Sequence, residues 1–447
     1  MIIAKFGGTS VASAERIRTI LGIVQSQLHR RPVIVVSAVS GVTDTLLSLA
    51  QVSESQVETA IEGIRQVHER LVNDLFSQED TRLRVMDYID EKLREIKSTA
   101  LKRNLTLEDR DELVSYGETM SSFIIAAFFN SQGIKAKQVI ASELIVTDGN
   151  FTQAEFLPSE TEEKTQRIIT PLVEEGIVPV VTGFMGATKE GKITTLGRGG
   201  SDYSASILGF ALDAEEIQIW TDVDGVYSAD PRVVKSARLI PEISYREASE
   251  MAAFGAKVLH PRTIRPAIQK NIPIRVLNTF NPDAAGTFIT GENVTQGLKA
   301  VSFKRRTTLV NIYSATMLFS KGFLAKIFEV FSRENISIDL VSVSEVSVSV
   351  TLDNDQNLLQ AIKELEGFTN VSVSHDFGMI SLIGEGLMSS QDVLREVSEL
   401  FHSNKMPIRM VSLGASDINI SLVLNAQDIE KAANLVHDQL LLRRGIN

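Results

Sequence analysis

Up to about residue 280, the chain alternates between short, almost uninterrupted runs of Ile and Val and longer stretches with helical periodicity. The apolar runs lie at residues 2–6, 33–36, 177–181, 217–220 and 274–277, and the helical stretches at 14–28, 56–75, 81–101 and 112–132. Because an apolar run without alternation is typical of a strand buried on both faces, this pattern predicts a mostly parallel sheet covered by helices on each side. In such a fold, binding loops are expected at the carboxyl ends of the strands.

The pattern changes beyond about residue 300, where polar and apolar residues alternate. Residues 347–352 alternate strictly, which is typical of a strand with one solvated face. An ungapped repeat runs through this part at one constant offset, so that Leu324 aligns with Leu394 and Phe331 with Phe401. Each copy has the pattern helix, strand, turn, strand. Two copies predict a pair of small α+β modules, since a solenoid needs three or more repeats.

The composition of the chain excludes several classes of protein and of site. Its 447 residues include no Cys, which removes disulfides, thiolate nucleophiles and thiolate-bound zinc. Its formal charge of −11 disfavours nucleic acid as a partner, because an acidic chain repels phosphate backbones. No apolar run approaches the ~20 residues of a membrane span, and Met1 is followed by apolar residues without a basic segment. We therefore expect a cytoplasmic protein without a membrane partner.

The segment at residues 5–10, Lys-Phe-Gly-Gly-Thr-Ser, follows the first predicted strand and precedes the first predicted helix. Lys5 supplies a positive charge, and the amides of Gly7 and Gly8 can point at a phosphate. The spacing is neither the Gly-x-Gly-x-x-Gly of dinucleotide folds nor the Walker pattern, which disfavours a dehydrogenase and a P-loop NTPase. The structural alternative is a plain turn in which a hydroxyl caps the helix.

Two further segments carry polar groups next to predicted apolar elements. Residues 37–44, which include Ser37 and Thr43, follow a strand and offer a second cradle at the same sheet edge. Glu118 follows a glycine at the start of an apolar helical run, where a carboxylate could hold an ammonium group. The alternatives are an ordinary capping loop for the first segment and a solvated helix face for the second.

The most specific segment is residues 197–202, Gly-Arg-Gly-Gly-Ser-Asp, which precedes an apolar helical stretch at 204–211. The planar fork of Arg198 suits a carboxylate, because it can donate two parallel hydrogen bonds. A glycine-rich helix N-terminus suits an anion, and Asp202 adds a carboxylate beside it. A structural loop rarely needs all these groups together, so a functional role is favoured here.

A later strand-end segment combines Thr221 and Asp222 with Tyr227 and Arg232, a set that suits a nucleotide. Its Asp-x-Asp-Gly sequence is not a calcium loop, because no Glu stands at position twelve. Lys257 is a further candidate for a phosphate contact, with a surface lysine at a helix end as the alternative.

These segments combine cationic and amide groups that hold anions with several carboxylates. Phosphoryl transfer fits this combination, because its catalysis consists mostly of positioning and charge stabilisation. An acceptor that is already a carboxylate would need no general base. No cluster of His or acidic residues suggests a metal cage, so no tightly bound, protein-ligated metal is expected.

In order and separation, these six segments resemble those of the aspartate kinases, within the amino acid kinase superfamily. The repeat resembles the paired ACT regulatory domains of that family, and the C-terminal part is most similar to the lysine-inhibited monofunctional class. The resemblance implies a three-layer α/β sandwich with a mostly parallel central sheet, followed by two ferredoxin-like α+β modules. It divides the chain into a catalytic domain at 1–285, a linker at 286–300 and two ACT-like domains at 301–380 and 381–447.

The implied reaction transfers the γ-phosphate of ATP, as its Mg²⁺ complex, to the β-carboxylate of L-aspartate. The product would be 4-phospho-L-aspartate, in the first step towards the aspartate-derived amino acids, including diaminopimelate and lysine. The implied catalytic residues are Lys5 and Asp202. The implied aspartate-binding residues are Thr43, Glu118, Arg198, Gly199, Gly200 and Ser201. The implied ATP-binding residues are Lys5, Gly7, Gly8, Ser37, Thr221, Asp222, Tyr227, Arg232 and Lys257.

The resemblance also implies feedback inhibition by L-lysine and a homodimer or tetramer that assembles through the ACT-like modules. The implied effector residues are Met317, Phe323, Leu324, Ala325, Ser337, Ile338, Asp339, Ser344, Glu345 and Val346. Asp339 and Glu345 can take the ammonium ends of lysine, and backbone amides near residues 323–325 can take its carboxylate. Three alternatives stay open at this point: threonine as the effector, another acidic amino acid as the substrate, and a catalytically silent amino-acid sensor.

Overall fold

The computed structural model describes residues 1–49, 52–255, 259–291, 295–318, 320–387, 392–413 and 417–444. These residues form two compact units. The first unit comprises residues 1–226, 241–245 and 259–291, and the second comprises 227–240, 246–255 and the described residues from 295 onward.

An eight-stranded sheet with the order β3-β4-β2-β1-β7-β9-β10-β8 forms the centre of the first unit, and a two-stranded hairpin, β5-β6, accompanies it. Every pairing in the large sheet is parallel except that between β9 and β10, so the mostly parallel sheet is confirmed. The strands are β1 Ile2–Phe6, β2 Pro32–Val36, β3 Ala136–Val139, β4 Val178–Thr182, β5 Met185–Ala187, β6 Ile193–Thr195, β7 Glu216–Thr221, β8 Glu242–Ser244, β9 Ile274–Asn278 and β10 Thr287–Thr290.

The described helices up to residue 269 include those predicted at 14–28, 56–75, 81–101 and 112–132, together with others that the sequence did not predict. They are α1 Ala14–Gln27, α2 Val42–Ser48, α3 Glu54–Leu75, α4 Glu79–Ala100, α5 Leu107–Ser131, α6 Pro158–Glu174, α7 Gly200–Ala211, α8 Tyr245–Ala253 and α9 Pro261–Gln269. Helix α5 begins earlier than its predicted start at residue 112, because Thr106 and Asp109 form a reciprocal capping box that satisfies its first amides.

The central strands are buried on both faces, as the uninterrupted apolar runs predicted. Ala4 and Phe6 of β1 lie in a core cluster that also contains side chains of α1, α3, α4 and α5. On the opposite face, Ile217 lies so close to Gly209 of α7 that a Cβ atom there would be 2.5 Å from its Cδ1, and Ile3 packs at the same position. Helices on both sides of the sheet give the three-layer sandwich that the sequence predicted.

The second unit contains a six-stranded antiparallel sheet with the order β12-β13-β11-β14-β16-β15. Its strands are β11 Ala300–Tyr313, β12 Leu340–Val343, β13 Ser347–Leu352, β14 Asn370–Ile383, β15 Met410–Leu413 and β16 Asn419–Asn425. Its helices are α10 Phe323–Arg333, α11 Leu358–Leu365, α12 Asp392–Ser403, α13 Ile429–Val436, a π-helix at His437–Leu441 and α14 Leu442–Arg444. The elements α10, β12 and β13 recur as α12, β15 and β16, which confirms the internal repeat.

The two modules of this sheet share their long strands. Residues 308–313 of β11 pair with β13 of the first module, whereas residues 300–304 of the same strand pair with residues 379–383 of β14. Residues 377–383 of β14 in turn pair with β16 of the second module. The predicted domain boundaries at 285, 300 and 380 stay predictions, although β10 lies inside the predicted linker and β14 crosses residue 380.

The segment at 227–240 packs with the second module inside the second unit. Ala229 and Val234 belong to the same core cluster as Phe401 and Leu422. The described helices include none that is both long enough and apolar enough to cross a membrane. The cytoplasmic location stays a prediction.

Candidate active site

A cavity of about 980 Å³ opens in the first unit at the carboxyl ends of β1, β2 and β7. The loops after these strands line it, as the parallel topology predicted. Most of the predicted site residues lie on its wall, namely Lys5, Gly8, Ser37, Thr43, Glu118, Arg198, Gly199, Gly200, Ser201, Asp202, Thr221 and Asp222. Segments as distant in sequence as the ends of β1 and β7 therefore meet in one cavity.

Lys5 and Asp202 form an ion pair in this cavity. The Lys5 Nζ lies 2.5 Å from Asp202 Oδ1, and the two side chains are 11% and 18% exposed. Lys5 lies on β1, whose neighbours on both sides are parallel strands, and Asp202 lies in the first turn of α7. The ammonium group is thus fixed at the edge of the central sheet, beside the amino end of a helix that favours anions.

Glu118 is buried, and it lies on the face of α5 that lines the cavity. Burial raises the pKa of Glu118 to about 8, although the Ala38 amide donates a hydrogen bond that opposes the shift. Its Oε2 atom has no hydrogen-bond partner in the described part of the chain. A buried carboxyl with an unused oxygen is suited to an ammonium group, whose charge and donors would satisfy it.

The adjacent Gly117 explains how Glu118 comes to lie beside the loop at 37–44. A Cβ atom on Gly117 would lie 2.8 Å from the Ala38 side chain, so only glycine lets α5 approach this loop so closely. Ser121, one turn further along α5, donates a hydrogen bond to the Ser37 carbonyl at 2.7 Å. Helix and loop therefore form one packed wall of the cavity.

Arg198 lies on a short loop between β6 and α7, next to two glycines with left-handed backbone, Gly197 (φ 76) and Gly199 (φ 70). Its side chain is exposed, and it makes no ion pair or hydrogen bond with the residues that the structure describes. The guanidinium is therefore available to an anionic ligand in the cavity, which is the role that the sequence predicted.

Other predicted residues lie off the cavity wall. Gly7 borders Lys5, and its amide donates a long hydrogen bond of 3.4 Å to the Trp220 carbonyl. Tyr227 and Arg232 belong to the second unit, where Arg232 pairs with Asp230 at 2.8 Å. Lys257 lies outside the described residues.

The cavity wall also contains residues that the sequence analysis missed. Besides Glu118, α5 contributes Arg110, Asp111 and Val114. Asp111 lies two helical turns before Glu118, so helical periodicity alone could have placed the two on one face. Thr152 (φ 71) and Phe184 (φ 72) also line the cavity with a left-handed backbone that costs such residues free energy. Strained residues of this kind concentrate at functional sites, and no sequence pattern indicates them.

The predicted effector residues all lie in the first module of the second unit. Met317, Phe323 and Ile338 pack against one core cluster, and the Ser314 amide donates to the Val346 carbonyl at 2.9 Å. Leu324, Ala325, Ser337, Ser344 and Glu345 are not buried. The predicted effector stretches at residues 317–325, 337–339 and 344–346 therefore all belong to this module.

Asp339 is the predicted effector residue with the most unusual surroundings. Its Oδ1 lies 3.5 Å from the Lys304 Nζ, which also contacts Asp353, and its Oδ2 is buried without a hydrogen bond in the described part of the chain. Burial, opposed by the Lys304 ammonium and reinforced by Asp353, raises the pKa of Asp339 to about 7. This carboxyl has room for one more cationic donor.

Comparison with known proteins matches both parts of the chain to described families. The model of the amino acid kinase family matches residues 1–278, and that of the ACT domain matches residues 310–366 and 380–440. Aspartokinase 1 of Arabidopsis thaliana, a chloroplast protein, is 38% identical over 97% of this chain and 79% of its own length. The lysine-sensitive aspartokinase 3 of Escherichia coli is 35% identical over 98% of this chain and 99% of its own.

Solved structures agree with these relatives. Aspartokinase III of E. coli in complex with aspartate and ADP (R-state) matches with a TM-score of 0.85 and 33% identity, over 99% of this chain and all of its own. The same enzyme in complex with lysine and aspartate (T-state) matches with a TM-score of 0.84 and 34% identity, over 98% and 99%.

Proposed function

This chain belongs to the amino acid kinase family and, within it, to the aspartokinases, and from that premise we propose its reaction and its regulation in detail. The reaction is transfer of the γ-phosphate of ATP to the β-carboxylate of L-aspartate, which gives 4-phospho-L-aspartate. The regulation is feedback inhibition by L-lysine at the first ACT-like module. The observation that carries the reaction is one cavity that holds Lys5, Glu118, Arg198 and Asp202.

In the proposed mechanism, aspartate is held by two groups of opposite charge. Glu118 receives its ammonium, and the fork of Arg198 receives a carboxylate. Thr43, Gly199, Gly200 and Ser201, which also line the cavity, complete the proposed aspartate site. These contacts leave the reacting carboxylate at a fixed distance from the phosphate, which removes much of the entropic barrier.

Lys5 stabilises the charge that develops on the transferring phosphoryl group. Because its side chain is largely buried, the ammonium acts in a medium of low dielectric, where its attraction for phosphate oxygens is strong. The ion pair with Asp202 orients this ammonium before ATP binds. The bond from phosphorus to the ADP oxygen breaks while a bond to the aspartate carboxylate forms, and no proton is transferred.

The metal in this reaction is proposed to enter as Mg²⁺ on the phosphates of ATP, as part of the substrate. In the described ranges, no group of three or more His, Asp or Glu side chains is placed to hold a metal ion. Among the residues that line the cavity, those proposed to face ATP are Gly8 through its amide, Ser37 and Thr221 through their hydroxyls, and Asp222. Gly7, Tyr227, Arg232 and Lys257 stay predicted nucleotide residues.

Initial rates of ADP formation with ATP and Mg²⁺ test the reaction, measured with aspartate, glutamate and N-acetylglutamate in turn and with lysine or threonine added. Of the three amino acids, we expect only aspartate to be phosphorylated, and we expect lysine to inhibit this reaction. A preference for glutamate would overturn the proposed substrate. Lysine binding without turnover of any of the three would leave the sensor as the function, and inhibition by threonine alone would change the effector.

A pH dependence is expected from Glu118. In the free enzyme its pKa of about 8 leaves the carboxyl mostly protonated at pH 7, whereas only the carboxylate can pair with the aspartate ammonium. We therefore expect kcat/KM for aspartate to rise about tenfold per pH unit from pH 6 towards pH 8 and then to level off. Initial rates measured between pH 6 and pH 8 at low aspartate concentration report this rise in kcat/KM.

The matched variant is Glu118→Gln, which cannot titrate. Its kcat/KM for aspartate is expected to be lower at every pH and to lack the rise. The same rise in the variant would assign the titration to another group and would remove Glu118 from the aspartate site.

For regulation, Asp339 and Glu345 are proposed to receive the ammonium groups of lysine, and exposed amides at the start of α10 its carboxylate. Asp339 suits this role because Lys304 contacts only its Oδ1, whereas its buried Oδ2 has no hydrogen bond among the described residues. Met317, Phe323, Leu324, Ala325, Ser337, Ile338, Ser344 and Val346 would line the rest of the site. Lysine can inhibit only if it binds an inactive conformation more tightly than the active one.

Asp339→Asn is expected to raise the lysine concentration for half-inhibition by about tenfold or more, since a hydrogen bond to a charged group contributes about 1.5–3 kcal/mol. Inhibition curves, each normalised to the uninhibited rate of the same variant, measure this. Asp355→Asn is a suitable control, because Asp355 is an exposed carboxylate of the same module. Equal inhibition of the Asp339 variant and the unmodified chain would place the effector elsewhere.

Assembly into a homodimer or tetramer through the ACT-like modules is also proposed. The edge strands β12 and β15 expose Val341, Val343, Val411 and Leu413, each between 38% and 48% exposed. Four apolar side chains on two sheet edges support pairing with a second copy, and sedimentation of the full chain tests it.

A further inference from the structure

Arg198 is carried by a short loop at residues 196–199, which we call the arginine loop. Side chains that lie outside this loop hold it in position. It follows the short strand β6 directly, and it lies beside the loop at residues 150–154. The contact between the two loops is close, because a Cβ atom on Gly197 would lie 3.1 Å from the Thr152 carbonyl oxygen. Whatever holds these two loops therefore sets where the Arg198 backbone lies.

Asp111, which lies on α5, holds the loop at residues 150–154 and Thr195, the residue that directly precedes the arginine loop. One of its carboxylate oxygens, Oδ2, accepts hydrogen bonds from the amides of Thr152 and Thr195, each at 2.8 Å. The other, Oδ1, accepts one from the Thr195 hydroxyl at 2.7 Å. Asp111 is 1% exposed, and it has no ion pair within the described ranges, so these three donors are what compensates its burial.

Arg262 holds the same two loops from the side of α9. Its guanidinium donates to the Leu196 carbonyl at 3.1 Å and to the carbonyls of Gln153 and Ala154 at 3.1 and 2.7 Å. A fourth contact, to Glu155 at 3.0 Å, and the face of the Tyr203 ring fix its orientation. The arginine loop is therefore held by an acid on one side and a base on the other.

The backbone of Thr152 indicates that this arrangement is maintained against a local cost. Its φ of 71° lies in the left-handed region, which a β-branched residue rarely adopts. The amide that donates to Asp111 belongs to this residue, and so does the carbonyl against which Gly197 packs. A strained residue persists where its surroundings over-determine it, and here the surroundings are Asp111, Arg262 and the arginine loop.

We propose that Asp111 and Arg262 are positioning residues that hold the arginine loop so that Arg198 meets a carboxylate of aspartate. Neither side chain needs to touch the substrate for this role. The inference rests on the proposed function in one respect, which is the assignment of Arg198 to aspartate. It goes beyond that function because it makes the affinity for aspartate depend on two side chains, Asp111 and Arg262, that act through Arg198.

Asp111→Ala tests the inference most directly, because it removes the acceptor of all three hydrogen bonds and leaves two buried amides without a partner. We expect KM for aspartate to rise about tenfold, because a misplacement of about 1 Å at a binding group is enough for such a loss. KM for ATP is expected to change less than about twofold. Asp111→Asn should restore most of the affinity, since its amide oxygen can still accept both backbone N–H groups while its nitrogen donates to the Thr195 hydroxyl.

The decisive measurement is KM for aspartate in the double variant that combines Asp111→Ala with Arg198→Ala. If Asp111 acts through Arg198, its effect on KM for aspartate should fall below about twofold once Arg198 is absent. Effects that multiply in the double variant would overturn the inference and leave the role of Arg198 intact. A normal KM in Arg198→Ala alone would instead overturn the assignment of Arg198, and the positioning role with it.

Two further variants separate positioning from general stability. Asp109→Ala removes a neighbouring carboxylate of the same helix, which contacts Lys102 and the Thr106 cap but not the cavity. It is expected to lower the melting temperature without raising KM for aspartate. If Asp111→Ala does not fold, Arg262→Lys carries the test, because a lysine keeps the charge but cannot reach three carbonyls. An unchanged KM for aspartate in Arg262→Lys would contradict the inference.

Discussion

Replacing Lys5 with alanine is expected to lower kcat for aspartate phosphorylation by about 10³-fold, since removal of one fixed donor to a developing charge costs about 10²–10³ in related chemistry. The loss is placed at the upper end because Lys5 carries a full charge in a largely buried position. Its removal also leaves Asp202 without its cation beside the incoming phosphates. Initial rates of ADP formation at saturating ATP and aspartate measure the effect.

Lys97→Ala is the matched control for this experiment. Lys97 also belongs to the first unit and pairs with a carboxylate, Glu58, but both side chains are exposed on helices away from the cavity. We expect kcat within about twofold of the unmodified chain, as for most exposed ion pairs. A Lys5→Ala variant that folds and keeps kcat within tenfold would remove Lys5 from the mechanism.

The central sheet could be predicted from the sequence because its strands are buried on both faces. A strand such as β4 is apolar at nearly every position, and this leaves a signal that needs no knowledge of its neighbours. The hairpin β5-β6 left no such signal, since each of its strands has three residues and contains Gly, Ala or Thr. Strand β3 was missed for a related reason, because it is partly exposed and reads Ala-Lys-Gln-Val.

The organisation of the second unit could be predicted only in part. The ungapped repeat identified two modules, because equivalent helices and strands bury the same face. It could not indicate that β11 and β14 each serve both modules, since this pairing joins residues as distant in sequence as Ala300 and Ile383. Nor could it indicate that residues 227–240 pack with the second module, because a few apolar residues in a loop can fit many different cores.

Within the site, the sequence indicated the charged groups on strand-end loops and missed the groups that hold those loops. Lys5 and Arg198 stand among glycines, and a charge in a glycine-rich turn has few structural reasons to be there. Asp111 lies inside a helix, and an acidic residue in a helix most often lies on the solvent-exposed face. Its role depends on amides contributed by Thr152 and Thr195, 41 and 84 residues away in sequence.

Replacing Arg198 with alanine is expected to raise KM for aspartate by about 10²-fold, since two charge-assisted hydrogen bonds of about 1.5–3 kcal/mol each are lost. KM for ATP should change much less, because Arg198 is assigned to aspartate and not to the nucleotide. Arg198→Lys should recover only part of the affinity, as a lysine supplies the charge without the two parallel donors. Arg65→Ala, which removes an arginine paired with Asp90 on an outer helix, is the control.

The cavity contains a second arginine that could compete for the same role, and this makes the test of Arg198 stringent. The side chains of Arg110 and Arg198 make no ion pair or hydrogen bond with any residue that the structure describes, and both residues line the cavity. Arg198 is favoured because it stands in a fixed glycine loop beside the amino end of α7, where an anion gains from both. If Arg110→Ala raises KM for aspartate and Arg198→Ala does not, the carboxylate belongs to Arg110. In that case the positioning role proposed for Asp111 and Arg262 falls together with the assignment of Arg198.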